Sequence, residues 1–60
     1  MKYFITASPW PTRIPNGTEI VPVTPPAGKD GDWFKVADGT NPFPEEDGTF
    51  KLFSNEFTKK

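Results

Sequence analysis

The chain has no cysteine and no histidine. The first absence removes disulfides and thiolate-bound zinc, and the second removes the imidazole that most often serves as metal ligand or general base. Long apolar runs are missing as well. None approaches the roughly 20 residues that cross a bilayer, and the opening Met1-Lys2-Tyr3-Phe4-Ile5-Thr6-Ala7-Ser8 is too short for the core of a signal peptide. The expected location is therefore the cytoplasm, and the lack of cysteine agrees with a reducing compartment. An excess of either charge is missing too: the formal net charge is −1 and the pI is near 5.1. Such a balance gives phosphates no basic field to follow, which disfavours a generic nucleic-acid or anionic-membrane binder.

What is present is aromatic. Sixty residues make one domain, 1–60, and a domain of this size buries only roughly 60% of the surface its unfolded chain exposes. With 15% aromatic residues in a chain only 33% hydrophobic, rings must supply the packing, each removing much apolar area at little entropic cost. Eight prolines and five glycines leave no room for an α-helix of ordinary length.

The organising stretch is Gly31-Asp32-Trp33-Phe34-Lys35-Val36-Ala37-Asp38-Gly39, in which apolar and polar residues alternate between two Asp-Gly pairs. This is the pattern of a strand closed by turns, with Phe34 and Val36 inward and Trp33 and Lys35 outward. Other strands are expected over Lys2–Ala7, Thr18–Val23, Thr49–Phe53 and Phe57–Lys59. Between them, Ser8–Pro15 holds three prolines and reads as an extended excursion. Asn16-Gly17 and Thr24–Gly31 read as turns, Asp38–Gly48 as a long loop, and Ser54-Asn55-Glu56 as a single helical turn. Pro22 places its strand at an edge or a bend. The expected core is Phe4, Ile20, Val23, Phe34, Val36, Phe50, Leu52 and Phe57. Five short strands with frequent turns predict an all-β fold, a small antiparallel barrel or highly twisted sheet.

Taken in order, Gly17-Thr18-Glu19-Ile20-Val21, Gly31-Asp32-Trp33-Phe34-Lys35-Val36, Gly48-Thr49-Phe50 and Leu52-Phe53-Ser54-Asn55-Glu56-Phe57 resemble the Src-homology-3-like (SH3-like) barrels. The pattern is closest to the bacterial branch, with its Gly-Asp-Trp-Tyr-Lys-Val. The resemblance covers residues 3–60 and implies a five-stranded SH3-like barrel with long Pro-rich loops. In the eukaryotic family the Trp at the position of Trp33 lines a groove for proline-rich peptides. Ser54 and Asn55 match the family's terminal turn, but Phe53 stands where the family has proline and Glu56 where it has tyrosine. The Ala-Leu-Tyr-Asp-Tyr run of the first strand is absent, and Tyr3 and Trp10 are the rings available in its place.

Signals for catalysis are weak. Glu45, Glu46 and Asp47 are consecutive, so their side chains diverge, and a solvated acidic turn explains them. Asp30 and Asp32 flank Gly31 and offer two oxygens to a hard cation, fewer than a full site needs; turn chemistry explains them too. The reading is a non-enzyme without cofactor or metal. Two stretches match ligand patterns, Pro22-Val23-Thr24-Pro25-Pro26 with its Pro-x-x-Pro spacing and Asn41-Pro42-Phe43, though such matches are common by chance and loop chemistry explains both. Asn16-Gly17-Thr18 is a glycosylation acceptor by pattern, though the turn reading dominates.

Rings in excess of what so small an interior can hold, set beside prolines, point to a protein-recognition surface. The expected partner-binding residues are Trp33, Lys35, Tyr3, Trp10, Phe43, Phe53, Asp30 and Asp32, with Glu45 and Glu46 adding to an acidic rim that favours a basic or proline-containing partner. For Trp10 and Phe43, folding back over an open barrel end is an equal alternative. Size alone suggests a small regulator or inhibitor of a larger protein, of the kind phages and mobile elements encode. Two alternatives stand beside this reading. One is a single-stranded nucleic-acid-binding barrel using Lys2, Arg13, Lys29, Lys35, Lys51, Lys59 and Lys60 with aromatic stacking. The other, implied by the bacterial branch of the resemblance, is a cell-wall peptide-binding module.

Overall fold

Five strands form in the stretches richest in β-branched and aromatic residues, and loops carrying proline and glycine separate the first four of them. The computed structural model describes residues 1–60 and places β1 at Tyr3–Ile5, β2 at Glu19–Val23, β3 at Asp32–Val36, β4 at Phe50–Leu52 and β5 at Phe57–Lys59. Each lies inside the stretch expected for it. The strands make one sheet in the order β4-β3-β2-β1-β5, and every pairing is antiparallel. The sheet curls into a half-barrel without a helix, an all-β architecture compatible with an SH3-like fold. No helix is long and apolar enough to cross a membrane. The expected helical turn at Ser54-Asn55-Glu56 is instead a β-turn, closed by Glu56 N–H donating to Phe53 C=O at 2.9 Å.

The register shows which backbone groups each strand offers to its neighbours. Lys2 and Lys60 exchange two hydrogen bonds of 2.7 Å, so Thr58 bonds β1 while Phe57 and Lys59 turn their N–H and C=O groups away from it. Ala37 N–H donates to Glu19 C=O, so the residues of β2 that bond β3 are Glu19, Val21 and Val23. Pro22 therefore points its nitrogen toward the β1 side. There β1 has already ended, since its pairing with β2 stops at Tyr3 opposite Ile20. A proline thus fits in an interior strand, because β2 is locally an edge where Pro22 sits.

Seven residues make the core: Ile5, Ile14, Ile20, Phe34, Val36, Phe50 and Leu52, with Tyr3, Trp10, Phe43 and Phe57 packed against it. Phe34 and Val36 are inward and Lys35 is exposed, as the alternation of β3 requires. Two core expectations are corrected. Phe4 and Val23 are half-buried on the opposite face, because Tyr3 and Ile5 take the inward positions of β1 and Pro22 shares the parity of Phe34. Ile5 and Ile14, each 1% exposed, take their place. Ile14 belongs to no strand. It reaches the interior because the 8–15 excursion folds into a turn, Arg13 and Ile14 N–H both donating to Trp10 C=O at 2.9 and 2.8 Å.

Candidate protein-binding surface

Trp33 is carried on the outward face of β3, opposite Val23 on one side and Lys51 on the other. It is half-buried. Its indole Nε1–H donates to Asp30 C=O at 2.8 Å, which fixes the ring against the turn entering β3. Trp33 borders three adjoining depressions and is the one residue common to all of them.

The first depression, of ≈ 490 Å³, is lined by residues of β1, β2, β3 and β5 and of the loop between β2 and β3. Tyr3, Phe34 and Phe57 form its floor, with ring centroids 4.7 to 6.0 Å apart in tilted contacts. Pro22 and Pro25 add an apolar wall, and Asp32 and Lys59 supply charge at the rim. Lys59 Nζ lies 5.9 Å from the Tyr3 ring centre, within cation–π range.

The second depression, of ≈ 550 Å³, lies between Trp33 and a clamp made by two loops. Trp10 stands edge-on to Phe43 at 5.1 Å and to Phe50 at 5.9 Å, so the Pro-rich excursion is anchored by aromatic packing. Arg13 closes the clamp. Its guanidinium donates to Glu45 Oε1 at 2.7 Å and to Pro42 C=O at 3.2 Å, and sits 5.2 Å from the Phe43 ring centre. Glu45 is held below its ordinary carboxyl pKa of 4.5 by its own backbone N–H first and by Arg13 second. Nearby, Asp47 accepts from the Thr49 hydroxyl at 2.7 Å and from Thr49 N–H at 3.0 Å, and the hydroxyl is the larger cause of its lowered pKa.

The eight expected site residues divide. Trp33, Tyr3 and Asp32 meet in the first depression, and Trp33, Trp10 and Phe43 in the second. Trp10 and Phe43 also pack on the core, so they do fold back, and they remain part of the wall while doing so. Phe53, Lys35 and Asp30 line none of these depressions. Phe53 is 64% exposed with Lys51 Nζ 5.6 Å from its ring centre, and Lys35 is exposed. The acidic rim is smaller than its residue count. Arg13 takes Glu45, and Lys51 lies 3.8 Å from Asp30, which leaves Asp32 and Glu46 without a salt-bridge partner.

Phe57, Pro22 and Pro25 join the surface without having been expected there; the inward parity of β5 and β2 brings in the first two, and Pro25 follows in the loop after β2. Asn41-Pro42-Phe43 is not a free peptide motif: Pro42 is buried, Phe43 packs against the core, and Phe43 N–H donates to Asn41 Oδ1 at 2.8 Å. No group of three or more acidic side chains converges closely enough to hold a metal ion. Comparison with protein-family models, curated proteins and solved structures found no match.

Proposed function

We propose that this chain is a non-enzymatic protein-binding module of SH3-like type, engaging its partner through the surface on which Trp33 stands. One observation carries the reading: Trp33 alone borders three depressions, the first of them floored by rings and walled by prolines. An amphipathic ring held by a single hydrogen bond, with apolar ground beside it, is the kind of anchor that dominates binding energy at interfaces. Asp32 and Glu46, left unpaired, bias the surface toward a basic partner and make the encounter salt-dependent. The partner class is a segment of another protein carrying proline and Lys or Arg. The module acts by occupying that segment, as a small regulator or inhibitor would. The nucleic-acid reading has less behind it, because Arg13 and Lys51 are already committed to carboxylates.

The test uses a pool of synthetic Lys/Arg-flanked proline-rich peptides, followed by two-dimensional amide NMR and tryptophan fluorescence. Binding is expected to shift the Trp33 indole resonance together with the amides of Tyr3 and Phe57. Trp33→Ala is expected to keep the fold by circular dichroism and to weaken binding by more than about 1 kcal/mol, roughly fivefold. Equal affinity of the folded variant, or shifts confined to another face, overturns the reading.

A further inference from the structure

A half-barrel that does not close leaves strand edges, and each edge is a template for another strand. Three are present here, and they are not alike. On β4 the outward groups belong to Thr49, Lys51 and Phe53, because Phe50 and Leu52 pair with Phe34 and Asp32. Two of those three N–H donors are already taken: Thr49 by Asp47 Oδ1 at 3.0 Å and Phe53 by Glu56 Oε1 at 2.8 Å. On β2, beyond the end of β1, the outward residue is Pro22, which has no N–H. On β5 the outward residues are Phe57 and Lys59, and no hydrogen bond in the fold uses their N–H groups. Two edges are blunted by side-chain carboxylates or proline, and the third is open.

We infer that the β5 edge is a self-association surface, on which a second copy of this chain adds its own β5 antiparallel and continues the sheet across a twofold axis. The sequence of β5 selects the register. Antiparallel pairing centred on Thr58 sets Phe57 opposite Lys59 of the second copy, and these are the residues whose N–H and C=O groups point outward. The same register sets Lys60 opposite Glu56 of the second copy, a favourable cross-strand charge pair repeated twice by symmetry. Lys59 meets a phenylalanine in place of another cation. Centring on Lys59 would instead oppose two lysines, and centring on Thr58 avoids that. Since β5 is three residues long, the interface falls at the small, transient end of the size range, so the dimer forms at high concentration and weakens as salt screens the Lys60–Glu56 pairs.

The absence of cysteine allows a direct measurement on the full chain. In the Thr58-centred register the two Thr58 residues form a non-hydrogen-bonded pair with Cα atoms roughly 4.5 Å apart, a separation a disulfide accepts. Thr58→Cys is expected to oxidise to a covalent dimer at least about tenfold faster than Lys51→Cys on the blunted β4 edge. Sedimentation of the unaltered chain from about 10 µM to about 1 mM is expected to show a rising average mass, with dissociation about tenfold easier for Lys59→Pro. That proline removes an outward N–H, and with it the Lys59 ammonium beside the Tyr3 ring, but leaves the bonds to β1 in place. Lys60→Glu, which alters no backbone group, is a second variant expected to weaken the dimer. A chain monomeric at about 1 mM, cysteine variants that oxidise at equal rates, or Lys59→Pro dimerising like the parent while folded by circular dichroism overturns the inference.

Discussion

Single residues carry unusual weight in a chain whose total stability, at this length, is on the order of 3–9 kcal/mol. Ile14 is the clearest case. It is 1% exposed and is the only core residue supplied by the Pro-rich excursion, so its side chain holds that loop and the neighbouring Trp10 against the sheet. Ile14→Ala is expected to cost about 2–4 kcal/mol, read as a lowered urea midpoint, with the loss of Trp10 ring-current shifts as the local sign. Two glycines separate backbone strain from crowding. Gly17 and Gly48 both have positive φ, 91° and 83°, but a Cβ added at Gly17 meets nothing within 4 Å, whereas at Gly48 it meets Asn41 Cγ and Oδ1 at 3.0 Å. Asn41 cannot yield freely, because its Oδ1 accepts the Phe43 N–H. Gly48→Ala is therefore expected to destabilise by about 1–3 kcal/mol and by more than Gly17→Ala, whose cost is the dihedral strain alone. Equal midpoints for the two variants would show that Asn41 gives way without loss.

At the scale of elements, the turn between β4 and β5 does two jobs through Glu56. Its N–H closes the turn on Phe53 C=O, and its carboxylate takes Phe53 N–H at the outer edge of β4. Glu56→Ala is expected to cost about 1 kcal/mol of stability and to raise the rate of aggregation on warming, followed by light scattering, since a second donor on that edge becomes free. Removing the carboxylate without any gain in aggregation would mean that strand length alone protects β4. How far these elements were legible beforehand depends on alternation. In β3, Lys35 stands between Phe34 and Val36, so the inward face could be read directly from those three residues even though Trp33 and Phe34 are adjacent rings. In β1, Tyr3, Phe4 and Ile5 are all apolar; period 2 has no phase there, and the choice of Phe4 for the interior had no local signal to correct it. Ile14 was illegible for another reason. Its neighbours are prolines and a turn, so only the tertiary closure made by Trp10, Phe43 and Arg13 brings it inside. The surface around Trp33 was legible in its rings and not in its charges, because the pairing of Glu45 with Arg13 joins residues 32 positions apart.

For the whole molecule, the absence of histidine leaves carboxylates as the groups that link folding to pH below neutrality. Both Glu45 and Asp47 hold pKa values lowered in the folded state, Glu45 by its backbone N–H and then Arg13, Asp47 by the Thr49 hydroxyl and then the Thr49 N–H. The sign follows from linkage. A group whose pKa is depressed on folding binds its proton more readily in the unfolded chain, so its contribution is fully present above the ordinary values of 4.5 and 3.8 and is lost as pH falls through the depressed ones. Stability is thus expected to be flat from pH 7 down to about 5 and to decline below about 4, modestly because these carboxylates are solvent-exposed. Both lie in the 38–49 loop that frames the second depression, and Asp38, lowered by its bonds from the Thr40 hydroxyl and N–H, stands at the start of the same loop away from that depression, so the loss is shared along the loop. Asp47→Asn keeps an oxygen for the Thr49 N–H but no longer titrates, which separates hydrogen bonding from charge. Melting temperatures measured across the acid limb are expected to place Asp47→Asn below the parent at pH 7 and to bring the two together near pH 2. A constant gap between the curves would mean that the Asp47–Thr49 hydrogen bonds act without their charge, and the acid limb would then rest on Glu45 with its clamp to Arg13 and on Asp38 with its bonds from Thr40.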